Sequence, residues 1–165
     1  MHQEITWPDN KQDLYTLLEQ QLVALVEDCP PVSALSNAAA LLWDALANVN
    51  WVGFYLLKDG MLHLGPFQGK TACTQIPLGR GVCGTAAAER TVQLVPDVHH
   101  FPGHIACDSA SNSEIVLPLI LDGTLLGVMD IDSPQFSRFD EVDSHWLSVF
   151  CDILTKNVDW SHGLL

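Results

Sequence analysis

Apolar positions recur with a helical period over residues 11–27, at Leu14, Leu17, Leu18, Leu22, Leu25 and Val26. A second helix is predicted over residues 33–48, with Ser33 as its N-cap and an end near Asn48. Residues 51–57 read as a strand, and Asp59-Gly60 turns the chain back into a strand over 61–64. Residues 65–81 hold four glycines and read as loop. A short helix fits residues 81–89 and a strand fits 91–95. A long loop over 96–113 follows, a length that inside a compact domain marks function or mobility. Strands over 114–121 and 124–132 are joined by Asp122-Gly123, and Ser137-Arg-Phe-Asp140 starts a last helix whose apolar face is Val142, Trp146, Val149 and Ile153. The hairpins predict a largely antiparallel central sheet. Helices from both chain ends pack on one of its faces, which is an α+β arrangement.

Within the strand over 124–132, alternation puts Asp130 and Asp132 on one face with Val128 and Leu126. Neighbouring carboxylates on a half-buried face repel and are costly to desolvate. The pair therefore marks either a binding site or a strand end open to water. Counting outward from the turn sets Ile115 near-opposite Asp130, so Glu114 falls within one residue of the pair. Trp51 and Tyr55 share a strand face with Gly53 between them, which suits either ordinary core packing or an aromatic-walled pocket.

Of five cysteines, Cys151 sits mid-helix and Cys29 precedes two prolines; both read as small core hydrophobes. Cys73, Cys83 and Cys107 lie in the loop-rich middle. Cys83 falls in the first turn of a short helix, where unpaired N–H groups favour a thiolate, and Cys107 follows His104. His99, His100 and His104 crowd the same loop. A zinc site built from them with Cys83 and Cys107 lacks the usual ligand spacing, so they read as loop surface or as groups that tune a thiolate.

With 165 residues and 48% hydrophobic content, the chain reads as one domain. A net charge of -13 argues against nucleic acid and anionic membranes as partners. No apolar stretch suits a membrane span and no signal peptide is evident, so a cytoplasmic location is expected. In that reducing compartment the cysteines are expected to rest as thiols, and any disulfide is expected to be catalytic.

The strings Asn50-Trp-Val-Gly-Phe-Tyr55, Leu64-Gly-Pro-Phe-Gln-Gly69, Gly79-Arg-Gly-Val-Cys-Gly84, Ser113-Glu-Ile-Val-Leu-Pro118 and Gly127-Val-Met-Asp-Ile-Asp132 closely resemble the free methionine-(R)-sulfoxide reductases. These are stand-alone GAF-domain enzymes, and most GAF domains lack the trio Cys73, Cys83 and Cys107. The resemblance implies a single GAF domain over residues 1–165. It implies Cys107 as the attacking thiol and Cys73 as the resolving thiol, with Cys83 as a substitute or relay. Glu114, Asp130 and Asp132 would hold the substrate's ammonium and sulfoxide, Trp51 and Tyr55 would wall its S-methyl end, and backbone N–H groups near residues 105–107 would receive its carboxylate. Thioredoxin as reductant and a homodimer are also implied, with no metal or organic cofactor. The rival readings are a GAF domain that binds a small ligand without chemistry, and a redox sensor that uses the cysteines as a switch.

Overall fold

Asn10 begins the first helix, its side chain accepting hydrogen bonds from the backbone N–H groups of Gln12 and Asp13 at the start of α1 (Lys11–Val26). The structure is a computed structural model that describes residues 5–105 and 109–162. Helix α2 spans Pro31–Ala45 and starts two residues before the expected Ser33 cap. Pro31 occupies the first helical position, where its missing N–H has no partner to lose. The helix also stops short of Asn48, which is left-handed at φ 60°.

The strands are β1 (Trp51–Lys58), β2 (Met61–Gly69), β3 (Gln75–Pro77), β4 (Gln93–Val95), β5 (Ser113–Leu121) and β6 (Thr124–Ser133). They form one six-stranded sheet in the order β3-β2-β1-β6-β5-β4, with every pair antiparallel. The stretch over 65–81, expected as loop, instead supplies the second half of β2 and all of β3. Pro66 is tolerated because the β1–β2 register shifts between Gly53 and Tyr55, where a ladder N–H is not required.

Helices α1, α2 and α4 (Glu141–Asn157) cover one face, against Val52, Phe54, Ile115, Leu117, Met129 and Ile131. The opposite face carries Trp51, Tyr55, Leu62, Val116 and Val128, packed against α3 (Gly81–Glu89) through Val82, Ala86 and Ala87. Helix α4 starts at the Ser137–Asp140 segment as expected, with Asp140 as its cap in a reciprocal box with Asp143. It is rotated from the expected face. Leu147, Phe150, Cys151 and Leu154 are buried, and Val142 is exposed. The reason lies at Asp143, a buried carboxylate on the inward stripe that a count of apolar residues alone passes over.

The β5–β6 hairpin holds the feature that matters most for the site. Its register shifts between Leu119 and Ile120, and Leu126 is the extra residue. Leu126 packs with the helical core while Val128 packs with the α3 side, so Leu126 does not share the face of Asp130 as alternation predicted. Gly127 makes the bulge possible: its φ is 159°, and a Cβ there would collide with the Tyr55 carbonyl oxygen. The bulge advances the register by one residue, so Glu114 lies directly opposite Asp132 and Val116 opposite Asp130.

Candidate active site

On the α3 side the sheet and helix enclose a cleft of about 530 Å3, open solvent at its mouth included. Trp51, Tyr55, Cys83, Glu114, Asp130 and Asp132 all line it, so six of the residues singled out from sequence converge on one place. Gly53 permits the aromatic wall. A Cβ there would strike the Trp51 ring and Phe67, and without one the Trp51 ring stacks between Phe67 at 5.3 Å and Tyr55 at 5.9 Å. Trp51 Nε1 donates to the Lys70 carbonyl at 3.1 Å, and the Tyr55 hydroxyl donates to the Cys73 carbonyl at 3.0 Å. Both aromatics are therefore tied to the segment that carries Cys73.

Cys73 is disulfide-bonded rather than resting as a thiol, whereas Cys29, Cys83 and Cys151 are free thiols. Cys107 lies outside the described residues. Of the stretch expected to bind a carboxylate, Ile105 lines the cleft and the rest lies outside the described residues.

Cys83 occupies the first turn of α3, as predicted, but its surroundings reverse the expected thiolate. It is 4% exposed, and its thiol donates to Asp130 Oδ2 at 3.3 Å and faces Glu114 Oε1 at 4.0 Å. Burial, then the charges of Asp130 and Glu114, push its pKa well above the ordinary thiol value. Glu114 and Asp130 are each 6% exposed. Burial raises both, Asp130 to about 6, and the nearby carboxylates Asp130 and Asp132 raise Glu114 further. Both carboxyls thus keep their protons to higher pH than an ordinary carboxyl does. Among the described residues no lysine, arginine or histidine forms an ion pair with Glu114 or Asp130.

The histidines do not gather around Cys83. His99 bonds the Asn112 side chain at 2.9 Å, and His100 pairs with Asp97 at 2.7 Å, both exposed. His104 lines the cleft, where burial and then the nearby His99 charge lower its pKa. Sequence reasoning passed over Arg80, Thr71 and Ser111 as cleft residues. Ser111 is buried and accepts a hydrogen bond from the Asn50 side chain, while Asn112 N–H donates to the Ser133 carbonyl at 2.8 Å. These bonds fasten the end of the long loop to the sheet. No local pattern announces them, because each pairs residues far apart in the chain.

Among the described residues no helix is long and apolar enough to cross a membrane. The GAF domain family model matches residues 32–159. The chain is 53% identical to a free methionine-R-sulfoxide reductase of Escherichia coli, over 84% of each chain. It is 48% identical to one of Saccharomyces cerevisiae, over 76% of this chain and 74% of the yeast protein. A crystal structure of the free methionine-R-sulfoxide reductase of Neisseria meningitidis in complex with its substrate superposes with a TM-score of 0.92 at 43% identity, covering 98% of both chains. With its cleft, acids and cysteines on the α3 side of a GAF fold, the chain belongs to the free methionine-R-sulfoxide reductases of the GAF domain family.

Proposed function

We propose that this protein reduces free L-methionine-(R)-sulfoxide to methionine by thiol chemistry in the α3-side cleft. The observation that carries the reading is the buried pair Glu114 and Asp130, which has no ion-pair partner among the described residues and stands beside an aromatic wall bonded to the Cys73 segment. The acids suit an α-ammonium. Trp51 and Tyr55 suit the S-methyl end.

In the proposed cycle the Cys107 thiolate attacks the sulfoxide sulfur. Proton transfer from a carboxyl of the Glu114, Asp130 and Asp132 group accompanies passage of the oxygen to the cysteine sulfur. The raised pKa values of Glu114 and Asp130 support that role. Methionine leaves, and Cys107 is a sulfenic acid. The Cys73 thiol then attacks it, forming a Cys73–Cys107 disulfide and releasing water. An external dithiol such as thioredoxin restores both thiols. The disulfide at Cys73 supports its role as the resolving thiol, as does the free state of Cys83, whose acidic surroundings disfavour a thiolate. Within this reading the whole chain acts as one cytoplasmic GAF domain and pairs as a homodimer.

Purified protein with dithiothreitol should turn free methionine-R-sulfoxide into methionine. Cys107→Ser should abolish even the first turnover. Cys73→Ser should complete one turnover, leave a sulfenic acid that a dimedone-type reagent traps, and stall with thioredoxin. Absence of methionine from the wild-type reaction would leave the sensor readings in place of this one.

A further inference from the structure

We propose that Cys83, Glu114 and Asp130 form a site for a zinc ion, made of one thiolate and two carboxylates and open to the cleft on its fourth side. One potential ligand atom from each residue lies within 4.8 Å of the others. The Cys83 sulfur stands 3.3 Å from Asp130 Oδ2 and 4.0 Å from Glu114 Oε1. Neighbouring corners of a tetrahedron with Zn–S of about 2.3 Å and Zn–O of about 2.0 Å are about 3.5 Å apart. The two sulfur-to-oxygen spacings bracket that value.

A second observation points the same way. Asp130 is 6% exposed, and its Oδ1, the oxygen that does not take the Cys83 thiol, is buried with no hydrogen-bond partner among the described residues. A buried carboxylate oxygen in that condition is costly, and a cation relieves the cost. The thiol then chooses among cations. Magnesium and calcium ions seek six or more oxygens, while sulfur favours zinc. Binding releases the Cys83 proton to solvent and moves no electrons.

This ion would take the place that the reductase reading gives to the substrate's ammonium, and so exclude the substrate. The exclusion rests on that reading; the metal site does not.

The test begins with metal-stripped protein in its oxidised form, where Cys73 is held in its disulfide and Cys83 is a free thiol. Titration with cobalt(II) should give a near-ultraviolet thiolate-to-metal charge-transfer band that saturates at one ion per chain. Zinc should displace that ion, and magnesium should not. Cys83→Ser should lose the band. It should also weaken zinc binding by more than roughly 100-fold, since removing even an outer-shell partner of a metal ligand costs about 10–100-fold. Glu114→Gln should weaken binding and keep the band. Wild-type protein without the band, or Cys83→Ser protein that binds zinc as tightly as wild type, would overturn the site. Free methionine sulfoxide should then reduce the cobalt band in the wild-type protein. A band that ignores saturating substrate overturns the exclusion while leaving the metal site standing.

Discussion

The protein buries carboxylates on both sides of its sheet, and it treats them in opposite ways. On the helical side Asp143 is 1% exposed and fully answered. The Tyr15 hydroxyl donates to its Oδ1 at 2.7 Å, while Lys11 Nζ at 2.8 Å and the Asp140 N–H at 2.9 Å donate to its Oδ2. Arg138 adds an ion pair at 3.5 Å. On the α3 side Glu114 and Asp130 are also buried, yet their near neighbours are a thiol and other acids. Burying an ion costs several kcal/mol unless a counter-charge and hydrogen bonds offset it. Asp143 has that offset within the chain, so its burial serves the fold. Glu114 and Asp130 have no such counter-charge among the described residues, so burial raises their pKa values instead, and a cation arriving from outside would let them ionise. A buried acid by itself therefore says little about function; the identity of its partners separates the two cases.

Substitutions on the two sides should break in opposite ways. The largest effect belongs to Glu114→Gln and Asp130→Asn, each of which should lower kcat/KM for free methionine sulfoxide about 10²–10³-fold. Their unfolding free energies should stay level or rise, because each removes a buried acid without a cation. Denaturant melts and steady-state kinetics on the same preparations check both halves. A variant that loses activity only because it has lost stability would erase the contrast. Next in size is Asp143→Ala, which should destabilise by about 3 kcal/mol and leave kcat/KM per folded molecule near wild type. A stability loss under about 1 kcal/mol would mean that the Tyr15, Lys11 and Arg138 contacts contribute little.

The smallest effect concerns acid stability on the helical side. The hydrogen bond from Lys11 leads the causes that hold Asp140 down to about 2, below its ordinary 3.8. A group depressed on folding contributes stability above its unfolded pKa and loses it as pH falls through the folded one. Here that window runs from about 4 down to about 2. Asp140 is half exposed, so solvent screening keeps the effect small. Lys11→Met should flatten the acid limb of a melting-temperature profile across that window. An unchanged limb would assign acid sensitivity to other carboxylates.

Much of this was legible in the chain. The helical periods, the Asp122-Gly123 hairpin and the Trp51–Gly53–Tyr55 face follow from local rules, and the structure has them. The misses came from pairings between distant residues. A one-residue bulge at Leu126 moved Glu114 from beside Asp132 to opposite it, and only the close packing of Gly127 on Tyr55 reveals why. The inward placement of Asp143 depends on Tyr15, on a helix more than a hundred positions away. The expected Cys83 thiolate failed because the helix-end effect, which sequence displays, is weaker than burial between two acids, which sequence conceals.

On the proposed reading, the buried acids Glu114 and Asp130 take a cation that the substrate brings. The most direct test compares wild-type kcat/KM for free methionine-R-sulfoxide with that for its N-acetyl form, which has the same sulfoxide and no ammonium charge. The predicted result is a preference for the free amino acid of about 10²–10³-fold, the scale expected when a buried acid is left without its counter-ion. Equal kcat/KM for the two substrates would contradict the assignment of Glu114, Asp130 and Asp132 to the ammonium, and with it the contrast between the two sides of the sheet.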